Sequence, residues 1–123
     1  MLRVFTLSTI IGFLFVQKLL AQDQKSTASP QVSTFTIPSK ELGGERKIWM
    51  YLPKDYKTSN KKYPVLYMHD AQNLFDAKTS FAGEWNVDET LDSLNAKVIV
   101  VGIEHGNDKR LAELTPYANE KYG

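Results

Sequence analysis

Two short apolar runs in this 123-residue chain each end in a pair of chemically active side chains. Residues 65–68 run into His69 and Asp70, and residues 98–103 run into Glu104 and His105. If the two runs are parallel neighbours in a sheet, all four groups meet at one end of it. A histidine near neutral pH can serve as a general base, but a base needs a nucleophile within reach. None is identifiable: no Ser sits in a G-x-S-x-G setting, and there is no Cys. Imidazole with carboxylates also suits several divalent metals, although no H-x-x-x-H or Cys pair sharpens that reading. Further along, Arg110 and Glu113 are placed either to touch a substrate or to pair with each other.

The elements that would carry these groups can be read from periodicity. Residues 34–37 alternate weakly and read as a strand ended by Pro38, and Gly43 and Gly44 signal a turn. Residues 46–52 alternate again and stop at Pro53, which makes a hairpin with the first strand. The continuous apolar runs at 65–68 and 97–103 have the pattern of strands covered on both faces. Between them, residues 86–94 read as a helix. Asn86 is the expected N-cap, Asp88 and Glu89 fall in the first turn, Val87, Leu91 and Leu94 share one face, and Asn95 ends it. Strand, helix, strand over about 40 residues is a βαβ unit. The expected fold class is therefore α/β, an antiparallel hairpin followed by a βαβ unit. No element is expected over residues 110–123, which are polar and mixed.

Ahead of the sheet, residues 1–21 have the three-part plan of a secretory signal peptide. Arg3 gives a positive start, residues 4–16 are apolar, and Ala21 offers a small cleavage residue. The apolar run is shorter than the roughly 20 residues of a membrane span. Residues 22–33 are polar, rich in Ser and Thr, and read as a flexible linker. Export to the periplasm or outside the cell follows as an expectation, with a retained anchor as the alternative. Net charge is +1, so nothing points to nucleic acid or to an anionic membrane surface.

Residues 63–76, YPVLYMHDAQNLFD, resemble the Y-P-V-L-Y-x-x-D-G-Q-N-x-F-D segment of the Putative esterase family, the esterase D and enterochelin-esterase-like branch of the α/β-hydrolases. The likeness continues at R-K-I-W-M-Y-L-P-K-D-Y (residues 46–56), at W-N-V-D-E (85–89), at V-V-G-I-E (100–104) and at R-L-A-E-L-T-P (110–116). It implies that residues 34–123 form the N-terminal part of an α/β-hydrolase domain. It implies a serine-type carboxylic-ester hydrolase that needs no cofactor or metal and acts on a small-molecule or acylated ester. It also implies no nucleic-acid partner, and no membrane contact after signal cleavage. In this family the turn after the first central strand supplies a backbone N–H to the oxyanion hole. On this sequence that N–H falls on Gln72, with Ala71 the alternative, while His69, Asp70 and Asn73 shape the turn. Ala71 stands where the family often has Gly, so the turn requires a negative φ there. The family's nucleophile, acid and histidine come later than these motifs, and no catalytic residue is assigned within the chain. A non-catalytic, hydrolase-like binding or scaffold protein is the alternative, and a metal-dependent hydrolase on His69, Asp70, Glu104 and His105 is a further rival.

Overall fold

A computed structural model describes residues 25–121. The expected signal peptide over residues 1–21 lies outside the described residues. Four strands form one mixed sheet: β1 (Val32–Ser39), β2 (Gly44–Tyr51), β3 (Val65–His69) and β4 (Ile99–Ile103). Their spatial order is β1-β2-β4-β3, antiparallel at the first two junctions and parallel between β4 and β3. Helix α1 (Val87–Ser93) makes the crossover from β3 to β4, and a second short helix, α2 (Arg110–Leu114), follows β4. This is the hairpin plus βαβ order that the sequence implies, and it is the opening of an α/β-hydrolase sheet.

The β1–β2 hairpin turns at Gly43, whose φ of 65° suits a residue without a Cβ. β1 is longer than the periodicity suggests and runs through Pro38. It lies at the edge of the sheet, where a missing N–H is tolerated. Pairing with β2 begins at Val32, inside the stretch read as a linker. The residues just before it are also held in place. Val32 N–H donates to Ser29 O at 3.0 Å and Leu52 N–H to Gln31 O at 3.1 Å.

Register sorts the sheet into two faces. Trp49, Tyr51, Val100 and Gly102 lie on one face together with Met68. On that side Ala71, Leu74 and Phe75 close the core, and Val87 and Leu91 of α1 pack against it. The third residue of the expected apolar stripe, Leu94, is instead exposed at the helix C-cap. Asn95 then turns left-handed with φ 48°. Its N–H donates to Asp92 O and that of Ala96 to Leu91 O, the paired bonds of a Schellman termination. Asn86 is the N-cap as expected, but in a left-handed conformation and without a side-chain capping bond.

The structure qualifies two expectations. The apolar run of β3 has the pattern of a strand covered on both faces, yet β3 is an edge strand whose Val65, Leu66 and Tyr67 are all exposed. An apolar run records what a strand prefers to touch; among the described residues β3 is paired on one side only, with β4. The stretch after β4 was expected to be irregular, yet it folds as α2. Arg, Leu, Ala and Glu are all strong helix formers, and the sequence RLAEL offers nothing else.

Candidate functional site

The parallel strands β3 and β4 aim their carboxyl ends at the same rim, the place where open α/β sheets bind ligands. β3 ends at His69, and the chain then makes a single left-handed residue, Asp70 (φ 56°, ψ 43°), before a 3₁₀ turn over Ala71–Asn73. Left-handed backbone in a non-glycine residue is uncommon, with Asp among the residues that tolerate it best. Its side chain is then fixed from 40 residues away. Arg110 Nε donates to Asp70 Oδ1 at 2.7 Å and its Nη2 to Oδ2 at 2.6 Å. Such a bidentate, charge-assisted fork is strong and directional. The Arg110 guanidinium holds the Asp70 carboxyl below its ordinary range despite partial burial, with smaller help from His105 and Gln72.

Asp70 was expected to bond neighbouring backbone N–H groups. It does not; its carboxylate serves Arg110. Arg110 and Glu113 were expected to pair with each other. They do not, because each reaches a different strand. Glu113 meets Arg46 of β2 in an ion pair and accepts the Gly106 N–H at 3.0 Å. Helix α2 is thereby tied to the sheet at two points, and one of them sets the turn.

The positive φ demanded by the turn falls on Asp70, and Ala71 has no positive φ. Alanine in the usual glycine position therefore costs no backbone strain. Its methyl group is fully buried and faces β4 at Gly102. A Cβ at Gly102 would lie 2.9 Å from Ala71 Cβ and 3.3 Å from Leu74 Cδ1. The glycine of the V-V-G-I motif is thus the space into which the turn packs.

Beyond the turn, Asn73 N–H closes on Asp70 O at 2.9 Å and Leu74 N–H on Ala71 O at 3.2 Å. Among the described residues, no acceptor takes the N–H of Ala71 or of Gln72. Gln72 O accepts the Thr79 hydroxyl at 2.8 Å. Asn73 organises the following loop, accepting Phe81 N–H on Oδ1 at 2.9 Å and Trp85 N–H on its carbonyl at 2.8 Å. Asp76 is buried and accepts the Ser26 hydroxyl at 2.6 Å, the Thr27 N–H at 3.2 Å and the Lys78 N–H at 2.9 Å. Burial pushes its pKa up, but these hydrogen bonds outweigh it and leave the carboxyl low. The segment expected to be a linker is therefore docked over residues 26–29, with Ser29 N–H also donating to Asp88 at 2.7 Å.

A cavity of about 200 Å³ opens beside the turn, lined in part by Arg46, His69, Asp70, Glu104, His105 and Leu114. The four groups singled out for metal binding do share this cavity, but they do not converge as ligands. Among the described residues, the only side chains at metal-ligating spacing are Glu84, Asp88 and Glu89. Asp70 is committed to Arg110. Glu104 accepts Trp49 Nε1–H at 2.7 Å and pairs with Lys47 at 3.2 Å. His105 Nδ1 accepts Asn107 N–H at 2.8 Å. His69 was expected to bond the turn, yet its ring makes no hydrogen bond to it among the described residues. Trp49 is buried and stacked on Phe75 at 6.2 Å. Trp85 is 60% exposed.

Comparison with known proteins agrees with this geometry. The Putative esterase family profile matches residues 39–122, which covers every element from the end of β1 onward. The chain belongs to this family. Protein YbbA of Bacillus subtilis strain 168, itself uncharacterized, is 30% identical over 79 residues, covering 64% of this chain and 29% of YbbA. An IroE-like serine hydrolase from Shewanella oneidensis superposes with a TM-score of 0.51 at 25% identity, over 65% of this chain and 25% of that one. The BES protein of Bacillus cereus shares the fold, with a TM-score of 0.57 at 19% identity over 81% of this chain and 39% of its own. The chain thus spans 25–39% of the length of these three proteins.

Proposed function

We propose that this chain is the oxyanion-side portion of an exported, serine-type carboxylic-ester hydrolase, acting on a small-molecule or acylated ester. One observation carries the reading. The 3₁₀ turn at the carboxyl end of β3 holds the N–H groups of Ala71 and Gln72 without an acceptor, in a turn pinned by Arg110 through Asp70. Acyl transfer from an ester develops negative charge on the carbonyl oxygen of the tetrahedral intermediate. A fixed N–H stabilises that charge without reorganising during the reaction. Gln72 N–H is the donor we assign, with Ala71 N–H the alternative. A serine from outside these 123 residues would supply the nucleophile, since none here stands in a G-x-S-x-G setting. Family membership and the likeness to a serine hydrolase support the hydrolase class. The leader-like residues 1–21 support export.

Two assays test the reading. The 123-residue chain alone should turn over no short acyl ester. Activity that survives purification and vanishes in His69→Ala would overturn the assignment. In an active protein containing this segment, Gln72→Pro removes the proposed donor and leaves the side chains around it in place. It should lower kcat by about 10²–10³ with little change in KM. An unchanged kcat would move the donor to Ala71 or remove the turn from the chemistry, and would leave the scaffold reading as the better one.

A further inference from the structure

Three carboxylates gather at the start of α1, none of them lining the cavity. Glu84, Asp88 and Glu89 each offer one oxygen, and the three oxygens lie within 4.8 Å of one another. Asp88 is fully buried. One of its oxygens accepts the Ser29 N–H, while the other is buried with no partner. Glu84 repeats the pattern: Oε2 accepts the Thr27 hydroxyl at 2.7 Å, and Oε1 is buried with no partner. Among the described residues, no Lys, Arg or His forms an ion pair with any of the three. A buried carboxylate oxygen without a donor is costly, and such an atom in a folded protein calls for a counter-group.

We propose that Glu84, Asp88 and Glu89 form a binding site for a calcium ion. Calcium takes oxygen ligands at about 2.3–2.6 Å, so oxygens on its coordination sphere lie up to about twice that distance apart, a span that admits three oxygens all within 4.8 Å of one another. Magnesium demands near-ideal octahedral geometry and keeps several of its waters, which suits a cluster with a fully buried carboxylate less well. Zinc favours imidazole and thiolate, which are absent from the cluster. The exposed side at Glu89 leaves room for water to complete the six to eight ligands calcium takes.

The ion would offset two of the three like charges and fasten two segments together. Both segments grip the turn: Ser26 and Thr27 through Asp76, and Trp85 N–H and Val87 N–H through Asn73 O and Leu74 O. That a bound ion steadies the catalytic turn rests on the function proposed above. That calcium binds does not.

The test uses the full chain, stripped of metal, with terbium as a luminescent stand-in for calcium. Trp85 lies in sequence between the ligands and should sensitise its emission. Saturable emission displaced by calcium is expected, with a higher unfolding midpoint in calcium than in chelator. Glu89→Gln should weaken binding about 10-fold or more and Asp88→Asn should abolish it, since calcium affinity follows the charge count of the site. Glu89 is exposed, so its variant remains decisive if Asp88→Asn fails to fold. Three results would overturn the proposal. One is the absence of saturable binding together with an unfolding midpoint indifferent to calcium. Another is equal affinity in Glu89→Gln. The third is an unfolding midpoint that rises on mild acidification and ignores calcium, which would assign the cluster to a shared proton. None of these readouts involves ester hydrolysis, so they stand apart from the fate of the esterase reading.

Discussion

The two faces of the sheet differ sharply. On one, Trp49, Tyr51 and Val100 are buried beneath Ala71, Leu74, Phe75 and α1. On the other, Phe35, Ile37, Val65 and Tyr67 are between 42% and 69% exposed, and of that face's strand residues among those described only Ile48, next to the Arg46–Glu113 tie to α2, is buried. The register makes both faces equally apolar, so composition does not separate them. What separates them is that the turn after β3 folds back onto one side only. The side it covers is also the side that fixes the candidate chemistry. Ala71 seats against Gly102, and Leu74 and Phe75 anchor the turn in the core. The geometry of the turn is therefore built from packing within this chain, while the bare face must be satisfied from elsewhere or remain wet.

Substitutions should divide along the same line. The largest effect is expected at Phe75, fully buried and stacked on Trp49. Phe75→Ala should cost about 3–5 kcal/mol. Small domains have only about 5–15 kcal/mol in total, so urea denaturation should show a lost or barely cooperative transition. A loss under 1 kcal/mol would mean that the covered face is no better packed than the bare one.

An intermediate effect is expected from acid. Asp70 and Asp76 both titrate below the ordinary carboxylate value of 3.8 in the folded chain. The folded state therefore binds fewer protons than the unfolded state in the interval between the two pKa values. The stability they contribute is fully present above the unfolded pKa, and it drains away as pH falls through the folded one. Asp76→Asn should flatten the dependence of stability on pH below about 4. It should also raise amide hydrogen exchange at Thr27, whose N–H Asp76 accepts. An unaltered acid slope would show that other carboxylates carry the acid dependence.

How much of this was legible in the sequence follows from the range of the interactions. The element order, the hairpin and the crossover helix were readable because they rest on local periodicity and turn residues. The turn at residues 70–73 was readable through resemblance. The Asp70–Arg110 fork was not, because it joins residues 40 apart and no sequence period links them; the RLAEL helix that presents Arg110 was the available clue. Asp76 and Asp88 read as a turn former and a first-turn acid, yet both are buried acceptors for the segment at 26–29. That segment looked like a linker because Ser and Thr are polar. Their hydroxyls and N–H groups are what the two aspartates take up. The exposure of β3 is not legible in its own residues, because an apolar run states a preference for burial and cannot report whether a neighbour is present to satisfy it.

The smallest change in free energy is expected on the bare face, and there the informative readout is association. Tyr67 is 69% exposed on edge strand β3. Its side chain gives up little water on folding, so Tyr67→Ser should alter stability within about 0.5 kcal/mol. An apolar edge strand presents unpaired backbone groups beside exposed side chains, which makes it a template for pairing with another chain. Residues 22–123 expressed alone should therefore associate through this edge, and size-exclusion chromatography should show species larger than a monomer. Tyr67→Ser with Val65→Lys places polar groups on that edge and should shift the profile toward monomer without moving the urea midpoint. A wild-type chain that runs as a sharp monomer with a cooperative transition would break the comparison, since the face that looks unfinished would then be tolerated by a self-sufficient small domain.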